Sequence, residues 1–156
     1  EAAAEVFLDM RYAEGRTADP GDLSHPKVAA RLGRCVSVAR LASPHGANVT
    51  FAAIAVAYTE SNFREGAVGK AGEVGMMQVL PRLHCAPYPD RRQGPGGCTD
   101  PLRAGVRALR LLMEGRPMRA ALRLYNGSSA YADRTARLAD AARRSFHRNE
   151  NRLMVN

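Results

Sequence analysis

Along most of this chain, apolar side chains recur at the three- and four-residue spacing of amphipathic helices. The first clear run begins after Ser24, a candidate N-cap with Pro26 in its first turn, and ends before Pro44. No stretch alternates with the two-residue period of a half-buried strand, and no segment repeats at a fixed interval. The pattern therefore predicts an all-α fold.

The second predicted helix is apolar on every side. Residues 51–58 contain no charged side chain, which is the pattern of a helix surrounded by others. Asn48 or Thr50 is the candidate cap at its start, and Ser61 and Asn62 mark its end. We expect this helix to be buried in the centre of a single helical domain.

The second half of the chain predicts a loop and three further helices. A glycine-containing loop leads to the apolar segment 75–80, which ends at Pro81. Thr99 is the candidate cap of the next helix, with Asp100 and Pro101 in its first turn. The last two predicted helices cover residues 117–126 and 129–146.

The two ends of the chain have weak patterns. Residues 1–22 and 147–156 are expected to be loosely held, and no linker indicates a second domain. We therefore predict a helical domain over residues 23–147, an N-terminal extension over 1–22 and a C-terminal tail over 148–156.

Composition and charge narrow the class of protein. The 156 residues are 46% hydrophobic and 24% charged, which is ordinary globular usage, and no apolar run approaches the ~18 to 20 residues of a membrane span. The formal net charge is +8, but the arginines are spread along every segment, so we attribute them mainly to base composition. Binding to a polyanion stays open as the alternative.

The cysteines bear on the compartment. Cys85 and Cys98 enclose a segment rich in proline and glycine that cannot form a regular helix. A disulfide between them would close this loop, contribute roughly 3 kcal/mol, and indicate an oxidising compartment such as the periplasm. The sequence opens at Glu1 without a signal-peptide pattern, so export is argued from these cysteines, while Cys35 is expected to be a small buried hydrophobe. A zinc site with His84 is the alternative, although no fourth ligand stands at a usable spacing.

Glu60 is the candidate catalytic residue on physical grounds. It ends the apolar helix, where partial burial and the negative end of the helix dipole both disfavour the charged carboxylate. Both effects raise the pKa of the carboxyl, and a protonated carboxylic acid is what general-acid cleavage of a glycosidic bond requires. The alternative is a glutamate that simply reaches solvent at a helix end.

Two further segments combine groups that suit a sugar ligand. Residues 75–78, Gly-Met-Met-Gln, place a primary amide beside two adaptable thioethers. Tyr125 and Asn126 place an aromatic hydroxyl and an amide at the end of a helix. Taken singly, the first segment is more often core and the second is simply a turn.

In their order, these segments resemble the catalytic domain of the SLT-type lytic transglycosylases, relatives of goose-type lysozyme in the lysozyme-like superfamily. The resemblance covers about residues 27–146 and rests on the motifs AIAVAYTESNF, AGEVGMMQVLP, TDPLRAGVRALRLL and ALRLYNGSSAYADR. It implies a lysozyme-like helical fold in which Glu60 is the sole acid/base and Ser61 its hydroxyl neighbour. The resemblance also places Met77 at the wall of the cleft. It places the following residues around the bound glycan: Gln78, Tyr125, Asn126 and Tyr131.

The resemblance also implies a reaction. The family cleaves the bond between N-acetylmuramic acid and N-acetylglucosamine in peptidoglycan without consuming water. Glu60 would protonate the leaving oxygen, the acetamido group of the substrate would assist at the anomeric carbon, and Glu60 would then act as base while a 1,6-anhydro ring closes. This chemistry implies no cofactor and no metal, and the sequence contains no nucleotide-binding loop.

The sequence departs from the family pattern in the loop after the central helix. Gly69 and Lys70 replace a frequent Ser and Pro, Met76 replaces Leu, and Glu73 stands where many members have Ala. If Glu73 faces Glu60 across the cleft, it could orient a water molecule and move the outcome towards hydrolysis, as in a muramidase. A solvated loop carboxylate is the alternative.

The resemblance leads us to expect a periplasmic, monomeric enzyme that acts on peptidoglycan glycan strands, with no nucleic-acid partner. Small single-domain members often serve secretion, conjugation or flagellar machines, so such an apparatus is a hypothetical partner. The alternative from a different class is a catalytically silent module that binds peptidoglycan or another polyanion.

Overall fold

The computed structural model describes residues 2–15, 26–85 and 98–154. Within these ranges the chain forms no β-strand, which confirms the predicted all-α fold, and none of the helices is both long and apolar enough to cross a membrane. Ser24, the candidate cap before the second helix, lies outside the described residues. The α-helices, numbered in chain order, are α1 (Ala2–Ala13), α2 (Pro26–Ala42), α3 (Ala47–Ser61), α4 (Pro101–Met113), α5 (Met118–Asn126) and α6 (Ser129–Met154).

The centre of the fold is α3, as its apolar sequence predicts. Residues 51–58 are all buried, and the helix packs against α2, α4 and α6. The predicted caps at its start are wrong. The backbone turns at Gly46, which has a φ of 96°, so the helix begins at Ala47 and no side chain caps it. Asn48 and Thr50 therefore lie inside the first turn, where the Thr50 hydroxyl donates to Gly46 O at 2.9 Å.

The helix α3 ends where the sequence predicts, but in an uncommon backbone conformation. Asn62 and Phe63 have positive φ values of 52° and 58°, which residues with side chains rarely adopt. The Phe63 ring is fully buried against Phe7 and Tyr58, and the Arg34 guanidinium donates to Phe63 O at 3.3 Å. Tertiary contacts thus hold the turn that follows α3.

The sequence pattern did not predict α1. This helix packs mainly against α6 and buries one apolar face, formed by Val6, Phe7 and Met10. Glu14, just beyond α1, pairs with Arg134 of α6, and α6 itself continues to Met154. The sequence shows only a short pattern for α1 because a helix of 12 residues is stabilised mainly by its tertiary contacts. Residues 1, 16–22 and 155–156, which were also expected to be loosely held, lie outside the described residues. The domain boundaries derived from that expectation stay a prediction.

The loop between α3 and α4 is held by a few specific contacts. Isolated β-bridges pair Val74 with both Val68 and Val79. A π-helical turn follows at Pro81–Cys85, and its last residue forms the predicted disulfide with Cys98. Because both sulfur atoms are bonded to each other, neither is available to the alternative zinc site.

The last three helices follow the sequence prediction with two changes. The N-cap of α4 is Asp100 and not Thr99, because the Asp100 carboxylate accepts a hydrogen bond from the Arg103 backbone N–H at 2.9 Å. The helix α5 ends at Asn126 as predicted and begins at Met118, with Pro117 as its N-cap, while α6 runs beyond its predicted end. The end of α5 and the first turn of α6 lie near Glu60 at the carboxyl end of α3.

Candidate active site

Glu60 lies half-buried in the last turn of α3, where several segments meet. Three side chains from elsewhere in the chain lie close enough to its carboxyl to shift its pKa: Asn126 at the end of α5, Tyr131 in the first turn of α6, and Glu73 in the loop before α4. The fold therefore gathers three of the predicted site residues around the carboxyl group of Glu60.

These surroundings raise the pKa of Glu60 above its ordinary value. Burial is the largest cause, because desolvation disfavours the carboxylate, and the negative charge of Glu73 adds to it. Tyr131 and Asn126 act in the opposite direction, because both donate towards the charged form. The direction predicted from burial is confirmed. Such a carboxyl keeps its proton to a higher pH than an exposed glutamate, which suits a general acid.

The two phenols beside Glu60 are used differently. The Tyr125 hydroxyl donates to Met77 O at 2.8 Å, and its ring stacks on that of His84 with centroids 6.4 Å apart. The Tyr131 hydroxyl is buried near the Glu60 carboxyl and acts on it as a donor, although it does not reach full hydrogen-bonding geometry with any residue that the structure describes. Burial and the Glu60 charge raise the pKa of both phenols, so both stay protonated donors. Tyr131 is thus a protonated donor beside Glu60.

Ser61 and Met77 support the site from inside the protein. The Ser61 hydroxyl is buried, donates to Met76 O at 2.8 Å, and accepts from the Arg64 backbone N–H at 3.0 Å. The Met77 side chain is fully buried against Gly105, where a Cβ would stand only 2.8 Å from the Met77 Cβ. Met77 therefore lies behind the cleft wall that it was expected to form, and the Ser61 hydroxyl is already used within the protein.

Gln78 and Glu73 form a polar corner on the loop side of Glu60. The Gln78 amide nitrogen donates to Gly75 O at 2.9 Å, which fixes the orientation of the amide, and the Glu73 carboxylate accepts from the Ala71 N–H at 3.0 Å. Gly69 makes this corner possible, because a Cβ there would clash with the Glu73 carboxylate and stand 2.8 Å from the amide oxygen of Gln78. Gly69 thus makes room for the Glu73 carboxylate.

Two open cavities meet at Glu60. The first, which we call the α1 recess, has a volume of about 300 Å³ and is lined by Glu14, Arg31, Tyr58, Thr59, Glu60, Ser61, Asn62, Arg64 and Arg134. The second, the loop recess, has a volume of about 500 Å³ and is lined by Arg34, Glu60, Arg64, Glu65, Gly66, Ala67, Val68 and Gln78. Because Glu60 and Arg64 line both, an extended ligand that occupied the two recesses would pass over the Glu60 carboxyl.

Comparison with known protein families agrees with this geometry. The model of the Transglycosylase SLT domain matches residues 42–154. The chain belongs to this family. Comparisons with curated proteins and with solved structures gave no match. Membership makes the chain, in general terms, a lytic transglycosylase domain for the glycosidic bonds of peptidoglycan, a polymer that SLT domains meet outside the cytoplasm.

The α1 recess and the loop recess together form the groove of this SLT domain. Several residues that line this groove were not singled out from the sequence. Arg31 and Arg34 lie three positions apart on α2 and share a face, with Arg31 in the α1 recess and Arg34 in the loop recess. Glu14 enters the α1 recess from beyond α1 and accepts a hydrogen bond from the Tyr58 hydroxyl at 3.1 Å. Helical spacing could have paired the two arginines, but it could not show that their face turns towards Glu60.

A third cavity lies away from this site. It is apolar, has a volume of about 440 Å³, and opens beside the first half of α3 among Cys35, Phe51 and Phe146. Burial raises the pKa of the Cys35 thiol to about 12, so Cys35 is the unreactive buried residue that the sequence predicts. In the part of the chain that the structure describes, no group of three or more His, Cys, Asp or Glu residues could hold a metal ion.

Proposed function

We propose that this SLT domain cleaves the β-1,4 bond between N-acetylmuramic acid and N-acetylglucosamine and releases a 1,6-anhydro product, with Glu60 as acid and then as base. The observation that carries the proposal is the half-buried Glu60 carboxyl, whose pKa is raised, at the junction of two open recesses. A glycan strand laid across both recesses would place one glycosidic bond over this carboxyl.

In the first step, the Glu60 proton passes to the bridging oxygen as the bond from that oxygen to the anomeric carbon breaks. The acetamido oxygen of the muramic residue forms a bond to the same carbon, so no second carboxylate is required. As Glu60 becomes a carboxylate, the donors of Tyr131 and Asn126 stabilise its charge.

In the second step, the Glu60 carboxylate takes the proton of the muramic 6-hydroxyl. The oxygen of that hydroxyl attacks the anomeric carbon, the acetamido oxygen leaves, and the 1,6-anhydro ring closes without water. Glu60 is protonated again and ready for another turnover. One carboxyl serves both steps because burial and Glu73 favour its acid form, whereas Tyr131 and Asn126 favour its carboxylate.

The other predicted site residues divide into two groups in this proposal. Direct contacts with the glycan are assigned to Gln78, Asn126 and Tyr131. Positioning through the backbone is assigned to Ser61, Met77 and Tyr125, which is supported by the burial of Ser61 and Met77 and by the hydrogen bond from Tyr125 to Met77 O.

Digestion of purified peptidoglycan tests the proposal. Soluble products of the wild type, Glu60→Gln and Glu114→Gln would be resolved by mass. Glu114 is the matched control, because it is an exposed carboxylate at the end of α4, far along the chain from the groove. We expect anhydro-muropeptides from the wild type and Glu114→Gln and none from Glu60→Gln. Release by Glu60→Gln at the wild-type rate would overturn the role of Glu60, and no release by any of the three would overturn the activity.

Hydrolysis of the same bond is the second candidate, favoured by one observation. Glu73 lies close enough to Glu60 to raise its pKa, so a second carboxylate is available on the loop side of the site. The same digest separates the two reactions, because a hydrolysed muropeptide is heavier than the anhydro product by one water. Hydrated products that disappear in Glu73→Gln would establish this alternative.

The cellular setting follows from the substrate. We propose that the enzyme works in the periplasm, where the disulfide between Cys85 and Cys98 is stable, and opens the wall locally for a secretion, conjugation or flagellar apparatus. Deletion of the gene should then impair assembly of one apparatus while bulk wall turnover stays unchanged. Equal wall defects everywhere would contradict a local role.

A further inference from the structure

The α1 recess holds more positive charge than its own contacts use. Of its three arginines, Arg134 pairs with Glu14. Arg64 donates through Nε to Ser61 O at 3.1 Å and has no carboxylate partner, and Arg31 has neither an ion pair nor a hydrogen bond, among the residues that the structure describes. Two guanidinium groups in this cavity therefore form no ion pair with any residue of the described ranges.

These two guanidinium groups do not serve the catalytic acid. A cation beside a carboxyl lowers its pKa, whereas the pKa of Glu60 is raised, and the groups that lower it are Tyr131 and Asn126. The charges of Arg31 and Arg64 are thus available to an anion in the recess. Arg31 is half-buried, so its stem is partly ordered before any ligand arrives.

Of the two glutamates that line the recess, Glu14 is already engaged within the protein. Its carboxylate accepts hydrogen bonds from both Arg134 and the Tyr58 hydroxyl. Arg31 precedes the segment that matches the family model, which begins at residue 42, whereas Arg64 and Arg134 lie within it.

Taking the proposed function as given, we propose that the α1 recess binds a carboxylate of the peptide substituents on the glycan, with Arg31 as the main contact and Arg64 as the second. The peptide is attached to the same muramic residue whose anomeric carbon is attacked, so a glycan bound over Glu60 brings its peptide to the same region of the surface. Its carboxylates are anions that a guanidinium can hold through two parallel hydrogen bonds. The enzyme then prefers peptide-bearing strands to strands whose peptide carboxylates are neutral.

Direct binding tests this inference without any catalysis. A soluble disaccharide peptide, and the same compound with its carboxylates converted to amides, would be titrated into the wild type, Arg31→Gln and Arg40→Gln. Arg40 is the matched control, because it is an exposed arginine on the same helix that lines the apolar cavity instead of the groove. We expect amidation of the ligand to weaken binding to the wild type and to Arg40→Gln by about five- to tenfold, the range for a partly exposed charge-assisted contact.

Arg31→Gln should bind both compounds equally, with the affinity that the wild type has for the amidated one. The preference of the wild type should also shrink as salt is added, because the contact is ionic. Equal binding of the two compounds by the wild type, or a full preference retained by Arg31→Gln, would overturn the inference.

Kinetics separate this inference from the proposed function. Arg31→Gln should raise KM for native peptidoglycan by the factor that amidation of the ligand costs in the titration. Its kcat should stay nearly unchanged, since the contact lies away from the reacting bond. Cleavage of native and amidated peptidoglycan with one KM by the wild type would overturn the carboxylate contact and leave the reaction standing. No cleavage of either substrate would overturn the reaction itself, while the titration still reports on the recess.

Discussion

Replacing Ser61 with alanine should lower stability and activity together, because its hydroxyl joins the end of α3 to the loop that carries Gln78. The residue is 3% exposed, its hydroxyl donates to Met76 O at 2.8 Å, and it accepts from the Arg64 N–H at 3.0 Å. In Ser61→Ala the buried Met76 carbonyl loses this donor, and an unpaired buried polar group costs about 1–3 kcal/mol. For a domain of this size, Tm should fall by roughly 2–4 °C for each kcal/mol.

Ser37→Ala is the matched control for this prediction. Ser37 is exposed on α2, and its hydroxyl donates to Gly33 O of its own helix at 3.1 Å. Its loss should change the free energy of unfolding by less than about 0.5 kcal/mol. Urea unfolding would give the change in the free energy of unfolding for both variants. At a temperature where both variants are folded, muropeptide release should fall about tenfold in Ser61→Ala alone, because a displaced loop misplaces the substrate. If Ser61→Ala and Ser37→Ala unfolded alike, this hydroxyl would not anchor the loop and the reasoning would be refuted.

Three further predictions concern the acid, its charged neighbour and the disulfide. Glu73→Gln removes a negative charge that raises the pKa of Glu60, so the pKa of Glu60 should fall and the alkaline limb of the pH–rate profile should move to lower pH. The control Glu114→Gln should leave this limb in place. An unmoved limb in Glu73→Gln would contradict the electrostatic argument. Because the folded-state pKa of Glu60 is raised above its unfolded value, the carboxyl stabilises the fold fully below the unfolded pKa, and this stability is lost as the pH rises through the folded one. Glu60→Gln should therefore be more stable than the wild type at about pH 8 and close to it at about pH 4 in thermal unfolding, whereas an equal difference at both pH values would show that ionisation of this carboxyl is not what strains the fold. Reduction of the bond between Cys85 and Cys98, which lie 13 residues apart, should lower the free energy of unfolding by roughly 3 kcal/mol, and identical urea curves with and without reductant would mean that the bond does not constrain the protein in solution.

The helices that the sequence predicted correctly are those whose signals lie within a few residues of each other. The apolar run that forms α3, and the turn signals around α5, are local and are read directly from the chain. The helix caps were predicted wrongly because local signals alone do not decide between neighbouring candidates. Asp100 and Thr99 are both suitable N-caps next to each other, and only the backbone geometry, with the Asp100 carboxylate on the Arg103 N–H, decides between them.

The candidate site was predictable in part. Glu60 could be singled out because burial at the end of an apolar helix is visible in one segment, and its raised pKa has burial as the largest cause. The burial of Met77 could not be predicted from its segment, because a thioether next to a polar amide looks like a cleft residue in sequence, whereas in the fold Gly105 of α4 packs against it. The arginines of the α1 recess carry no local signal, because one exposed face of a helix looks like another in sequence.

The sequence by itself therefore determined the helical class, most helix positions, the cysteine pair and the candidate acid, since each depends on neighbours along the chain. Only the tertiary structure decided that α1 packs on α6, that Tyr131 and Asn126 meet Glu60, and that Arg31 faces the same groove. The physical reason is that apolar periodicity and turn signals extend over a few residues, whereas desolvation, charge proximity and the shape of a groove depend on residues brought together from distant parts of the chain.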